Sequence, residues 1–237
     1  MPLVIAHRGA SAYAPENTLA AFQLAHTQGA DMLELDVRCS ADGVLVVFHD
    51  ATTERWNGLP RPVSTCTLAD LRRLDIGGEA VATLAEVCAF ARASGMLLNV
   101  ELKQPDIAVP VVRLLRAYDL IDRTLVAAFS PAALHELSQV APDLRRGYLM
   151  GTRTYHPAIR LRELWPFLAL RRTSATAWHP AVQLPLLGPV LPCVRRAGYA
   201  VNVWTVDDPA VMRRLVDWGA TGIITNRPEL ARASLSV

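Results

Sequence analysis

The run Glu34 to Asp50, ELDVRCSADGVLVVFHD, decides how this chain is read. Two apolar stretches of β-forming residues, Met32 to Val37 and Val44 to Phe48, flank Asp42-Gly43, a dipeptide that turns a chain back on itself. Side chains alternate along a strand, so Glu34 and Asp36 project to one face while Leu35 and Val37 project to the other. Folding the two runs into a hairpin sets Glu34 roughly opposite His49. Two carboxylates and an imidazole then crowd one small space. Like charges on one strand face repel unless a cation lies between them, so a bound metal is the first expectation.

Outward from this unit, short apolar runs alternate with helical patterns. Leu3 to Ala6 reads as a strand ending at His7-Arg8-Gly9. A helix from about Thr18 to Gln28 closes at Gly29. Thr67 with Asp70, and Thr83 with Glu86, each spell a capping box. Ser130-Pro131 and Asp208-Pro209 each open a helix. Parallel-strand candidates begin near Leu3, Met32, Leu97, Thr124, Arg146, Ser174, Tyr199 and Gly222. Val44 to Phe48 adds one more, whose turn is too short for a parallel crossover. The alternation predicts an α/β fold: a TIM (β/α)8 barrel with an antiparallel hairpin arm near its mouth, as one domain over residues 1–237. A doubly wound open sheet is the runner-up, but no Gly-rich dinucleotide loop follows the first strand.

Composition narrows the function. A formal charge of +2 gives no argument for nucleic acid. Cys39, Cys66, Cys88 and Cys193 form no CxxC and read as reduced thiols rather than a zinc site or disulfide frame. Met1 to Ile5 runs straight into a strand, so no signal peptide is expected and the protein reads as cytoplasmic. No apolar run reaches the ~18 residues of a membrane helix. Ala181 to Val194 lacks charge, but Pro185, Pro189 and Pro192 argue against a spanning helix. The chain has 23 arginines and a single lysine, Lys103.

The polar residues that need explaining sit at predicted strand ends, the face where a parallel barrel builds its active site. Glu34, Asp36 and Glu101 are three oxygen donors that suit a hard cation such as Mg²⁺ or Ca²⁺. Each alone could simply pair with an arginine. His7 and His49 are the natural proton carriers, because imidazole titrates near neutrality. His26, His135, His156 and His179 read as core or capping residues, with His179 at most at the pocket rim. Arg8 and Lys103 are cations at the same mouth, and a compact ammonium suits an anionic oxygen. A metal, cations and two imidazoles in one cavity fit a phosphodiester.

These residues resemble the glycerophosphodiester phosphodiesterases, which share a barrel with the phosphoinositide-specific phospholipases C. The matching pieces are His7-Arg8-Gly9, Pro15-Glu16-Asn17-Thr18, Glu34-x-Asp36, His49-Asp50, Glu101-Leu102-Lys103, Val203-Trp204-Thr205-Val206 and Gly222-Ile223-Ile224-Thr225-Asn226-Arg227-Pro228. The resemblance implies that His7 and His49 are the acid–base pair and that Glu34, Asp36 and Glu101 hold one divalent cation. It implies that Arg8 and Lys103 bind the phosphate, that Trp204 walls the pocket, and that Ala51 to Val81 is a small insertion capping the barrel mouth after the third strand-like segment. The implied reaction releases sn-glycerol 3-phosphate and an alcohol. Two departures, Ala128-Phe129 for the usual Ser-Phe and Ala82-Thr83-Leu84 for the usual Pro-Thr-Leu, touch the pocket wall rather than these residues.

Two competing readings remain at this point. One is a lysophospholipase D, for which Trp165 to Leu170 between arginines and the apolar Ala181 to Val194 would meet a lipid surface. The other is a non-catalytic phosphate- or metal-binding barrel, against which both histidines speak.

Overall fold

The computed structural model describes residues 1–151 and 157–236. The apolar runs become strands β1 Leu3–His7, β2 Met32–Cys39, β3 Leu45–Val47, β4 Leu97–Leu102, β5 Thr124–Ala128, β6 Arg145–Met150, β7 Ala177–Pro180, β8 Ala200–Val203 and β9 Gly222–Thr225. All neighbours pair in parallel except β2 and β3, and β1 pairs with both β9 and β2. That last pairing closes the sheet, so the fold is the eight-stranded α/β barrel rather than the open sheet.

Capping chemistry starts the helices where the sequence indicates. Thr83 and Glu86 form a complete capping box on helix Leu84–Ser94, and Gly95 ends it at φ 82°. Thr67 and Asp70 do the same for Leu68–Leu71. Ser130 and Asp208 accept first-turn N–H groups with proline next in line. The proline-rich stretch Ala181 to Val194 does become helical, over Leu187–Arg196. Pro189 falls in its first turn, where no intrahelical N–H is needed. Among the described residues no helix is long and apolar enough to cross a membrane.

Alternation sorts the side chains. One face of each strand feeds the main core under the helices, including Val4, Ala6, Leu33, Leu35, Leu98 and Val100. The other face fills the barrel with Leu125, Ala127, Leu149 and Ala177, and with Ile5, Met32 and Ile224. Glu34, Asp36 and Glu101 share the inward parity, which is why they are buried yet accessible from the mouth.

The hairpin register differs from expectation. Val37 pairs with Val47 and Cys39 with Leu45, and the Phe48 N–H donates to the Asp36 carbonyl at 2.8 Å. Asp36 therefore stands opposite the returning strand's end, one step from the predicted Glu34–His49 alignment. The turn spans Ala41, Asp42 and Gly43. Ser40 N–H closes it on the Val44 carbonyl at 2.9 Å, and Gly43 takes φ 79°.

Residues 51–81 build a small core of their own on the hairpin, from Val46, Phe48, Val63, Cys66, Leu71, Leu74, Ile76 and Val81. Arg55, in the short helix Glu54–Asn57, ties this module down. It pairs with Glu16 and, at 2.7 Å, with Asp50.

Candidate active site

The site starts with β1. The chain leaves the strand at His7, takes φ 56° at Arg8 and φ 84° at Gly9. A Cβ on Gly9 would sit 2.7 Å from the Ala21 backbone, so only glycine lets the turn close against the following helix. This turn aims the Arg8 backbone N–H at Glu34, 2.8 Å from Oε2. The Arg8 side chain reaches Glu16 at 3.0 Å and Asp36 at 3.2 Å.

Register brings the acids together. β2 lies between β1 and β4, pairing His7 with Glu34, and Asp36 with Glu101. One carboxylate oxygen from each of Glu34, Asp36 and Glu101 falls within 4.8 Å of the others, and all three residues are buried. Lys103, two residues past Glu101, places its ammonium 2.7 Å from Glu101 and 3.4 Å from Asp36. Asn17 donates to Asp36 at 2.8 Å.

The charges are unequal in consequence. Burial, then the neighbouring Asp36 and Glu101 charges, push the Glu34 carboxyl well above its ordinary range. Burial and Asp36 push Glu101 up to about 7 despite Lys103. Burial acts the same way on Asp36, but Lys103 and Arg8 on either side outweigh it and hold Asp36 low. Three carboxylates thus face two cations, and the shortfall is what an all-oxygen site for a hard divalent ion looks like. The donor set fits such an ion.

Both predicted imidazoles reach the same cavity. It measures about 160 Å³ and is lined by His7, Arg8, Glu34, His49, Glu101, Lys103 and Trp204, with Asn99, Phe129 and Leu149 among the remainder. Burial and the nearby Arg8 depress His7; burial also depresses His49, and Arg8 and Lys103 add to it. His49 holds Asp50 at 2.8 Å through Nδ1, and its carbonyl accepts from Arg38. Trp204 forms one wall, packed edge-on against Phe129 with centroids 5.7 Å apart and donating from Nε1 to the His179 carbonyl at 2.8 Å.

Every residue singled out from sequence is therefore in or around one cavity. The remaining histidines lie elsewhere. His179 is fully buried on the barrel's inner wall against Asn202, not at the rim. His26 faces Met96 and Phe90. His135 lies within helix Pro131–Val140, and His156 falls outside the described residues. The sequence assigns no role to Asn17, Glu16, Arg55 or Asn99. For Asn17 and Glu16 the signal was present in the Pro-Glu-Asn-Thr motif; for Asn99 it was the shared strand parity with Glu101.

Known proteins are similar to this chain in sequence and fold. A relative from Caldanaerobacter subterraneus, named glycerophosphodiester phosphodiesterase, is 34 % identical over 240 residues, covering 96 % of this chain and 95 % of its own. The crystal structure of a glycerophosphodiester phosphodiesterase from Agrobacterium tumefaciens is 31 % identical with a TM-score of 0.80, over 98 % of this chain and 100 % of the other. An Oleispira antarctica phosphodiesterase, solved with the product sn-glycerol-3-phosphate, is 28 % identical with a TM-score of 0.85, over 100 % and 98 %. Residues 7–230 match the model of the glycerophosphoryl diester phosphodiesterase family, so a barrel whose mouth gathers three acids, two imidazoles and two cations belongs to that family of hydrolases.

Proposed function

We propose that this chain hydrolyses glycerophosphodiesters to sn-glycerol 3-phosphate and an alcohol, using His7 and His49 as proton carriers. The observation that carries the reading is the common cavity of the two histidines, Arg8, Lys103, Glu34 and Glu101, with Asp36 close beside the other two acids. The sn-glycerol-3-phosphate bound to the Oleispira phosphodiesterase supports the choice of substrate.

Glu34, Asp36 and Glu101 would hold one divalent cation, Mg²⁺ or Ca²⁺, which when bound supplies Lewis-acid polarisation of the phosphate and acidifies a neighbouring hydroxyl. Arg8 and Lys103 neutralise the phosphate's negative charge and orient it. One imidazole takes a proton from the attacking oxygen as it bonds to phosphorus; that oxygen is water, or the glycerol 2-hydroxyl followed by water opening the cyclic phosphate to sn-glycerol 3-phosphate. The other gives a proton to the leaving oxygen as the P–O bond to the alcohol breaks. Trp204 and Phe129 wall the cavity and keep bulk water from the reacting centre. The module of residues 51–81 closes over one side of the mouth through Arg55.

Turnover of a panel of glycerophosphodiesters, read as release of sn-glycerol 3-phosphate, is the test. Release from at least one diester is expected. No release from any member, with Mg²⁺ and with Ca²⁺, overturns the proposal. The second reading, a lysophospholipase D, rests on the exposed Leu161, Trp165 and Leu168, which line one surface cavity. Faster release from a lysophospholipid than from any water-soluble diester would favour it.

A further inference from the structure

Asn226 follows β9 and meets His7 across 219 residues of sequence: its Oδ1 lies 2.7 Å from His7 Nδ1. The far end of the same amide decides which way it points. Nδ2 lies 2.6 Å from Oδ2 of Asp207. A carboxylate only accepts, so the NH₂ faces Asp207 and the oxygen faces His7. An amide oxygen also only accepts, so the proton between Oδ1 and Nδ1 belongs to His7. A neutral imidazole carries one N–H. His7 is thereby held as the Nδ1–H tautomer, with Nε2 left as its bare acceptor.

Asp207 cannot turn to relax this order. Its Oδ1 accepts from Thr225 Oγ1 and from the Asn226 backbone N–H, both at 2.8 Å. Ser11 Oγ lies 2.8 Å from both the His7 carbonyl and Asn226 Oδ1, packing the other side of the amide. The partner of His49 is different in kind. Its Nδ1 meets the carboxylate of Asp50, which Arg55 holds in turn. A carboxylate favours an imidazolium, whereas an amide oxygen gives much less to a second charge.

We propose that Asp207 and Asn226 are positioning residues that lock His7 in the Nδ1–H tautomer, leaving Nε2 bare to accept a proton. This rests on the hydrolytic reading above and adds two residues to it. Asn226 does not line the cavity; it acts through the ring it orients, and Asp207 acts through Asn226.

The test reads the tautomer directly. Nitrogen NMR of the full chain, labelled at histidine and assigned with H7Q, is expected to show His7 with its proton on Nδ1. In D207N the Asn226 backbone N–H still needs its acceptor, so the new amide keeps its oxygen there and turns its NH₂ toward Asn226. Asn226 then turns over and presents its own NH₂ to His7. The tautomer should switch to Nε2–H, and kcat should fall by about 10² to 10⁴ with KM nearly unchanged. N226A should lose the Nδ1–H preference and a similar share of kcat. A wild-type His7 protonated on Nε2, or a folded D207N with unchanged tautomer and turnover, overturns the proposal. If D207N does not fold, the wild-type spectrum decides alone. Failure of the wild type to turn over any diester would defeat the hydrolytic reading while leaving the spectrum to judge the tautomer.

Discussion

Lys103 sets its ammonium 2.7 Å from Glu101 Oε1. The same group lies 3.4 Å from Asp36, so one cation bridges acids from two neighbouring strands. This explains why a chain otherwise built with arginine uses lysine here. A compact ammonium fits between two carboxylates, whereas the planar guanidinium fork needs a wider approach. K103Q should lower kcat/KM by about 10² or more, and K103R should fail to restore it. Steady-state kinetics on both variants is the check; K103R at wild-type efficiency would remove any special role for the ammonium.

Glu34, Asp36 and Glu101 set three carboxyl groups against the two cations Arg8 and Lys103 and suit a hard divalent ion, so activity should depend on an added cation. Treatment with EDTA followed by dialysis should abolish turnover, and Mg²⁺ or Ca²⁺ should restore it. Calorimetric titration of E34Q, D36N and E101Q with the restoring ion should show affinity weakened by at least about 10-fold each, the scale on which even indirect metal contacts act. Undiminished turnover after chelation contradicts the three-carboxylate site.

General acid–base help is worth about 10² to 10⁴ per group. H7A and H49A should each lose kcat on that scale while keeping the wild-type circular dichroism spectrum. Near-normal turnover in either purified variant would take that histidine out of the chemistry.

Arg55 is the strut between the 51–81 module and the barrel, through Glu16 and Asp50. Removing it frees a segment whose own core is small, and such segments open first. R55A should be cut by protease within residues 51–81 faster than wild type, with kcat reduced several-fold because Asp50 loses its hold beside His49. Identical cleavage rates would show that the small core alone keeps the module shut.

Much of this was legible in the chain. Eight short apolar runs alternating with helical patterns favour a parallel barrel over an open sheet, and the strand-end rule then gathers His7, Glu34, Asp36 and Glu101 although residues 7 and 101 are distant in sequence. What escaped depends on contacts that no local pattern encodes. The β2–β3 register follows from Ser40 closing a turn of three residues. The Arg55 strut depends on how an insertion packs. Asp207 lies just beyond β8, in an unpatterned stretch, and its partners Thr225 and Asn226 lie 18 and 19 residues on.

His179 offers a pH test away from the mouth. It is fully buried, Nε2 faces Asn202 at 3.0 Å, and Nδ1 finds no partner among the described residues. A Cβ on Gly147 would come within 2.8 Å of the ring, so the side chain has no room to reach water. Burial pushes its pKa from 6.5 to about 3. The folded state therefore keeps His179 neutral where the unfolded chain takes up a proton. Stability is fully present above pH 6.5 and drains as pH falls toward about 3, by about 1.4 kcal/mol per pH unit at most. In H179Q the amide can still bond Asn202 but cannot titrate. Urea unfolding at pH 7, 6 and 5 should show a shallower loss of stability in H179Q than in wild type, even if the variant starts lower from imperfect packing. Parallel slopes would mean that other groups, such as the paired carboxylates, carry the acid sensitivity.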